Sequence, residues 1–275
     1  MVLGIPAGEL VALVAILFAG GALTGVLAGV FGIGGGSILV PILYELFGAA
    51  GADDAVRMHL AIATSLAIIV PTSIRSFLGH KARGTVDMEM LKSWAPGVVA
   101  GVVLGSLLIA VTNATVLRAI YAFMITAMAV RMAFMRESWR LGDDLPGNPL
   151  KSVYAAGTGI LSVLMGVGGG AMFSTVMVLY NRSILQAVST ASGLGVLIPI
   201  PATIGFVWSG WGAPGLPAFS LGYINWLGVL LVIPASLITA PWGVRLAHAL
   251  SRRHLELAFA GFLFLVAARF FWSLI

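Results

Sequence analysis

Residues 29–43, GVFGIGGGSILVPIL, place five glycines within eight positions of an apolar run. A second run with the same character, GVGGGAMFSTVMVL, covers residues 166–179. Because glycine disfavours a helix by about 1 kcal/mol relative to alanine, each run predicts a break between two helical segments. At least one segment beside each break is short, so we expect each pair to form a hairpin that enters the protein interior and returns.

The overall composition is that of an integral membrane protein. Hydrophobic residues make up 60% of the 275 residues, charged residues make up 9%, and the mean hydropathy is +1.06. Soluble domains carry about 25% charged residues. The apolar blocks are long enough for membrane-spanning helices and lack the alternation of barrel strands. We therefore predict an all-α polytopic membrane protein.

Several classes of function are disfavoured by what the sequence lacks. It contains no cysteine, which excludes disulfides and thiolate chemistry, and it has no HExxH, GxSxG or Walker A motif. We therefore expect no enzyme, no catalytic residue, no cofactor and no metal site. The net charge of +5 comes from basic residues at helix ends, where membrane orientation explains them better than nucleic-acid binding.

The two halves of the chain resemble each other. Matches are 134 residues apart near the start of each half, as for Gly25 and Gly159, and 138 apart later, as for Arg131 and Arg269. This pattern divides the chain into a first membrane repeat (1–135), a cytoplasmic linker (136–151) and a second membrane repeat (152–275). Each repeat is predicted to contain one glycine-broken helical hairpin and three transmembrane helices.

Loop charge predicts the orientation of the repeats. Basic residues cluster around Gly84 and in the linker, whereas residues 209–225 contain no Lys or Arg. The positive-inside rule places the first two regions in the cytoplasm and the third outside. The repeats then have inverted topology, and both termini are extracytoplasmic. If each glycine run instead lies within a single span, the repeats are parallel.

A break in a membrane helix leaves backbone N–H groups without helical partners. Where a new helix begins, these groups and the positive end of the helix dipole can bind a small anion. We expect the two turns to meet near the membrane midplane, as in transporters built from inverted repeats. The alternative is that the glycines only allow close helix packing. The predicted substrate-binding glycines are Gly34, Gly35, Gly36, Gly168, Gly169 and Gly170.

The sequence also resembles the sulfite exporter TauE/SafE family of bacterial membrane transporters. The resemblance spans nearly the whole chain and rests on the first glycine run with Pro41, on residues 63–65 (ATS), on 80–87 (HKARGTVD) and on 216–225 (LPAFSLGYIN). It implies transport of sulfite, or of an organosulfonate such as sulfoacetate, across the cytoplasmic membrane. The second half departs from the first, because Ala171 stands where the first half has Ser37.

Polar residues near the glycine runs are further candidates. Hydroxyl groups that could donate to a sulfonate oxygen are those of Ser37, Thr64, Ser65, Ser189, Thr190 and Ser192. A membrane Ser or Thr more commonly bonds back to a carbonyl one turn earlier. Glu45 is a candidate for carrying a coupling proton, or it reaches the outer interface; Arg57 and His59 are candidates for attracting anions, or they only follow a loop.

Together these observations predict a secondary transporter, in the export direction, that moves a small sulfur-containing anion across the inner membrane by alternating access. A passive small-anion channel is the alternative, and saturable flux would distinguish the two. The expected partners are the anion and membrane lipids, with no nucleic acid. The sequence leaves open whether the chain forms a homo-oligomer.

Overall fold

The structure is a computed structural model that describes residues 7–31, 36–134, 140–249 and 252–274. The first half contains α1 (Ala7–Phe31), α2 (Gly36–Ala49), α3 (Asp54–Ala82), α4 (Met88–Val111) and α5 (Ala114–Phe134). The second half contains α6 (Leu150–Met165), α7 (Gly170–Leu179), α8 (Ile184–Leu197), α9 (Pro199–Ser209), α10 (Trp226–Ala249) and α11 (Arg252–Trp272). Two short antiparallel strands, β1 (Ser220–Leu221) and β2 (Ile224–Asn225), connect α9 to α10.

The prediction of an all-α polytopic membrane protein is confirmed. Five helical segments of the described chain are long and apolar enough to cross a membrane. They are Asp54–Ala82, Met88–Val111, Ala114–Phe134, Leu185–Ser209 and Trp226–Gly243. Large apolar side chains such as Val111, Phe123 and Leu265 are exposed on the outside of the bundle. These side chains suit a surface that faces lipid.

Short polar side chains set where several helices begin. Asp53 accepts a hydrogen bond from the Ala55 N–H at 2.9 Å at the start of α3. Ser183 accepts one from the Gln186 N–H at 3.3 Å at the start of α8. Such caps satisfy N–H groups that have no partner within the helix. Residues 185–209, predicted as one segment, are two helices because Pro199 begins α9 and cannot donate to the preceding turn.

The second glycine run forms the turn of a helical hairpin. α6 ends at Gly166, with φ of 65°, and α7 begins after Gly169, with φ of 73°. Glycine adopts such left-handed conformations at low cost. α7 returns beside the start of α6, because the Tyr154 and Tyr180 hydroxyl oxygens are 3.5 Å apart. The arms have 16 and 10 residues, about 24 and 15 Å, so each is shorter than a membrane core of about 30 Å.

The first glycine run lies between α1 and α2, and its residues 32–35 are outside the described residues. α1 has 25 residues and α2 has 14, so only α1 is long enough to cross the membrane alone. Gly20 of α1 packs against Ile42 and Leu46 of α2. The two helices therefore lie side by side on either side of this run.

The first arm of each hairpin packs on a helix from the other half of the chain. Gly25 of α1 lies against the backbone of Ser236 in α10, and Gly159 of α6 lies against the backbone of Val98 in α4. A Cβ atom at either glycine would collide with that backbone, so the close approach requires glycine. Gly25 and Gly159 are matching positions of the two halves, and Val98 and Ser236 are also 138 residues apart. The two contacts are therefore reciprocal.

The bundle has two ends, which we name after residues of α3. The Arg57 end contains the start of α3 and the loop before α10, because His59 stacks on Tyr223 with ring centres 4.9 Å apart. The His80 end contains the end of α3 and the start of α8, because His80 Nδ1 is 3.1 Å from Ser189 Oγ. α3 and the pair α8 and α9 therefore run antiparallel. Residues 58–69 of α3 are all buried at the centre.

Candidate functional site

The turns of the two hairpins meet inside the bundle. Gly36, which begins α2, faces the carbonyl oxygen of Gly166 and the backbone of Val167. A Cβ atom on Gly36 would lie 2.7 Å from that oxygen, so no side chain fits there. Gly34 and Gly35, two of the predicted binding residues, lie outside the described residues. In the described part of the runs, the predicted approach of the two turns is present.

Ser162 places a hydroxyl group at the second turn. Its side chain is fully buried, and Oγ has no hydrogen-bond partner among the described residues. This oxygen lies 3.0 Å from where a Cβ atom on Gly169 would stand, and Gly169 immediately precedes α7. No side chain caps α7, and the first N–H groups of a helix have no partner within it. The hydroxyl and the helix start can therefore donate to one small anion.

Ser37 has the corresponding features at the first turn. It lies in the first turn of α2, is fully buried, and its Oγ has no partner within the part of the chain that the structure describes. Tyr121 donates from its hydroxyl to the Ser37 carbonyl oxygen at 3.4 Å, which leaves the Ser37 hydroxyl unused. We use the name tip site for the region formed by Gly36, Ser37, Ser162 and residues 166–170.

One of the two predicted hydroxyls of α3 reaches the tip site. Ser65 donates to the carbonyl oxygen of Gly166 at 2.8 Å, so it supports the turn of the second hairpin. Thr64 instead accepts a hydrogen bond from the Asn225 N–H at 3.1 Å. Ser65 is therefore already paired, and Thr64 contacts the start of α10.

The three predicted hydroxyls of α8 make hydrogen bonds toward the His80 end. Ser189 Oγ is 3.1 Å from His80 Nδ1, and Thr190 Oγ1 accepts from the Asp87 N–H at 3.0 Å. Ser192 donates back to the Ser189 carbonyl oxygen at 2.6 Å, which is the common arrangement for a helical serine.

Thr64 and Thr190 make the same kind of contact in opposite halves. Each accepts an N–H from a residue that caps a helix of the other half. Asn225 accepts from the Gly228 N–H at 2.8 Å to cap α10, and Asp87 accepts from the Met90 N–H at 2.9 Å to cap α4. Asp87 and Asn225 are 138 residues apart, as are Met90 and Gly228. These two contacts, which we call the threonine latches, join the halves at opposite ends of the bundle.

The predicted charged candidates lie at the Arg57 end. Glu45 forms an ion pair with Arg269 of the second half at 3.1 Å, and both side chains are about half exposed. Arg57 pairs with Asp54. His59 is buried, and its Nε2 is 3.0 Å from the Thr112 carbonyl oxygen. None of these three contacts involves the tip site.

Two cavities lie outside the tip site. One, of about 340 Å³, is a shallow basic opening at the His80 end lined by Thr72, Arg75, Ser76, Gly79, His80 and Arg83. The other, of about 580 Å³, is an apolar groove lined by Thr203, Ile204, Val207, Trp208 and Trp211. The groove has no charged lining residue and faces outward, so it does not suit an anion. Among the described residues, no group of His, Cys, Asp or Glu could hold a metal ion.

Sequence reasoning missed two residues at these places. Ser162 was available as a polar residue four positions before the second glycine run, but nothing in the sequence shows that its hydroxyl lacks a partner. Arg118 was available as a charged residue inside an apolar segment, which is a reason to suspect function. Its hydrogen bond to Tyr44, at 3.1 Å, depends on contacts between distant parts of the chain.

Broken helices that meet inside a membrane bundle, with free donors where they meet, define a class of polytopic membrane transporters. This chain belongs to the sulfite exporter TauE/SafE family, whose family model matches residues 17–270. It is accordingly a multi-pass membrane transporter and not an enzyme, with a small-molecule substrate and a lipid environment.

Similar proteins carry names consistent with this class. A probable membrane transporter protein of Haemophilus influenzae is 32% identical over 91% of this chain and 95% of its own length. A probable membrane transporter protein of Methanocaldococcus jannaschii is 24% identical over 93% of this chain and 94% of its own length. No solved structure matches this chain significantly.

Proposed function

We propose that this protein is a secondary transporter that exports a small sulfur-containing anion across the cytoplasmic, inner membrane by alternating access. The substrate class is sulfite or an organosulfonate similar to sulfoacetate. The tip site binds the anion, and the predicted glycines Gly34 and Gly35 extend it on the side of the first hairpin.

One observation carries this proposal: the two hairpin turns meet, and each has a fully buried serine hydroxyl, Ser37 or Ser162, without a partner among the described residues. Leaving a buried hydroxyl unpaired costs about 1–3 kcal/mol. Such a cost is reasonable where a ligand supplies the missing partner. The oxygens of a sulfite or sulfonate group would accept from the two hydroxyls and from the N–H groups at the start of α7.

Alternating access is supported by the arrangement of the halves. The reciprocal glycine contacts and the threonine latches join matching residues, while α3 and its counterpart α8 with α9 run antiparallel. We infer two repeats of inverted topology around the tip site. In this mechanism the latch of Thr64 opens for access from the Arg57 end, and the latch of Thr190 opens for access from the His80 end.

Orientation follows from the loop charges. We propose that the His80 end, with Lys81, Arg83 and Lys151, is cytoplasmic and that both termini are extracytoplasmic. The chain contains no cysteine, so single-cysteine variants can test this in cells. Gly212→Cys should react with a membrane-impermeant maleimide from outside, whereas Arg83→Cys should react only after the membrane is opened. The reverse pattern would contradict the orientation.

The transport proposal is tested by anion flux into proteoliposomes, with sulfite, sulfoacetate, sulfate and acetate compared separately. We expect saturable flux of sulfite or sulfoacetate, and its loss in a Ser37→Ala/Ser162→Ala double variant. Flux that does not saturate for any anion would instead indicate a channel. Absence of flux for all four anions, with folded protein confirmed by circular dichroism, would contradict the proposed substrate class.

A further inference from the structure

Two arginines converge on one phenol oxygen at the Arg57 end. Arg57 Nη2 donates to Tyr44 Oη at 2.7 Å, and Arg118 Nη1 donates to the same oxygen at 3.1 Å. The Arg57 guanidinium also lies over the Tyr44 ring, 4.2 Å from its centre. Arg118 is buried, with 8% of its surface exposed. A neutral hydroxyl thus holds two positive groups close together.

The negative charge at this place is smaller than the positive charge. Asp54 is the carboxylate that the described residues place against both arginines: it pairs with Arg57, and its Oδ2 is 3.7 Å from Arg118 Nη1. Neighbouring Glu45 is paired with Arg269. Two guanidiniums therefore share one carboxylate, and the Nε atoms of Arg57 and Arg118 are buried without partners among the described residues. Largely buried charges are normally paired, so the cluster lacks one anion.

The surrounding helices add to the positive potential. Arg57 lies in the first turn of α3, and Arg118 lies near the start of α5. Both helices direct their positive dipole ends to this region. Paired guanidiniums in fixed positions suit the oxygens of carboxylate, sulfonate, sulfate or phosphate groups.

Asp54 shows where an oxyanion would sit. Its two carboxylate oxygens approach one arginine each, yet its side chain is 64% exposed and can move away without unfolding the helix. We propose that a small free oxyanion binds between Arg57 and Arg118, braced by Tyr44, and that Asp54 occupies this position when the anion is absent.

This arginine site is distinct from the tip site. Tyr44 lies eight residues after Gly36 on α2, which corresponds to about 12 Å along the helix. An anion leaving the tip site toward the Arg57 end could therefore pause here. The proposal concerns binding alone, so it stands or falls independently of the proposed transport activity.

The test measures sulfate binding to the purified full chain by isothermal titration calorimetry, in neutral detergent and at ionic strength held constant with chloride. We expect Asp54→Asn to bind sulfate about fivefold more tightly, because the competing ion pair is removed. Arg118→Gln should weaken binding at least about tenfold, the loss expected for a hydrogen bond to a charged group. A purely structural ion pair would not give tighter binding in Asp54→Asn.

A matched control is available at the His80 end. Asp144 is also an exposed carboxylate paired with an arginine, Arg182, at 3.2 Å. Asp144→Asn should leave sulfate affinity unchanged. Unchanged or weaker binding in Asp54→Asn, or equal tightening in Asp144→Asn, would overturn the proposal.

A second arm separates a free anion from a lipid headgroup, which offers the same oxyanion chemistry. Sulfate binding is measured in nanodiscs of phosphatidylcholine and in nanodiscs containing phosphatidylglycerol. Similar affinities, with the same gain in Asp54→Asn, would support a free anion. Loss of sulfate binding in phosphatidylglycerol would assign the position to a lipid phosphate and overturn the proposal.

Discussion

Replacing Ser162 by alanine should separate stability from transport. The buried hydroxyl has no partner among the described residues, so its removal relieves a cost of about 1 kcal/mol. The apparent melting temperature should rise by about 2–4 °C. If the hydroxyl donates to the anion, its loss costs about 1.5–3 kcal/mol of substrate binding, which raises the KM for anion flux by about tenfold or more.

The assay compares thermal unfolding in detergent with concentration-dependent flux in proteoliposomes. Ser106→Ala is the matched control, because Ser106 Oγ is also buried without a partner in the described chain but lies beside Gly205, between α4 and α9. The control should show the same rise in stability with unchanged KM. A Ser162→Ala variant with unchanged KM, or one that loses stability and flux together, would refute the reasoning.

Three further variants test other parts of the structure. Gly169→Ala should lower stability by about 1–2 kcal/mol, because φ of 73° is left-handed, and thermal unfolding measures this loss. Thr190→Val should leave the Asp87 N–H without its partner, and amide hydrogen exchange at the start of α4 should become faster. Glu45→Gln should change stability by less than about 1 kcal/mol and leave the pH dependence of flux unchanged, because Arg269 engages this carboxylate in a half-exposed pair.

Opposite results would be equally informative. Equal stability of Gly169→Ala would mean that the turn rearranges easily, and unchanged exchange would remove the threonine latch as a link between the halves. A shifted pH profile in Glu45→Gln would restore the coupling role that the sequence suggested.

Much of the helical architecture could be predicted because it depends on local properties. Apolar blocks of sufficient length form helices in a membrane, and the glycine runs interrupt them, so the hairpin of α6 and α7 follows from residues 150–179 alone. The break before Pro199 was not predicted. It lies beside the tip site, where Ile198 packs against Gly169, and only that packing makes the position meaningful.

The candidate site was only partly predictable, since hydroxyl groups look alike in a sequence. Ser65 and Ser162 are both serines in apolar helices, yet Ser65 is bonded to Gly166 and Ser162 has no partner among the described residues. The difference depends on which distant backbone group each side chain reaches.

The sequence by itself determined that the chain is a polytopic helical membrane protein, where its helices break, and which family it resembles, because hydrophobicity and glycine content act along the chain. The tertiary structure alone decided that the two turns touch, that Thr64 and Thr190 join opposite halves, and that Arg57 and Arg118 share Tyr44. These contacts connect residues up to 161 positions apart. Their formation depends on how the helices pack, which no local pattern specifies.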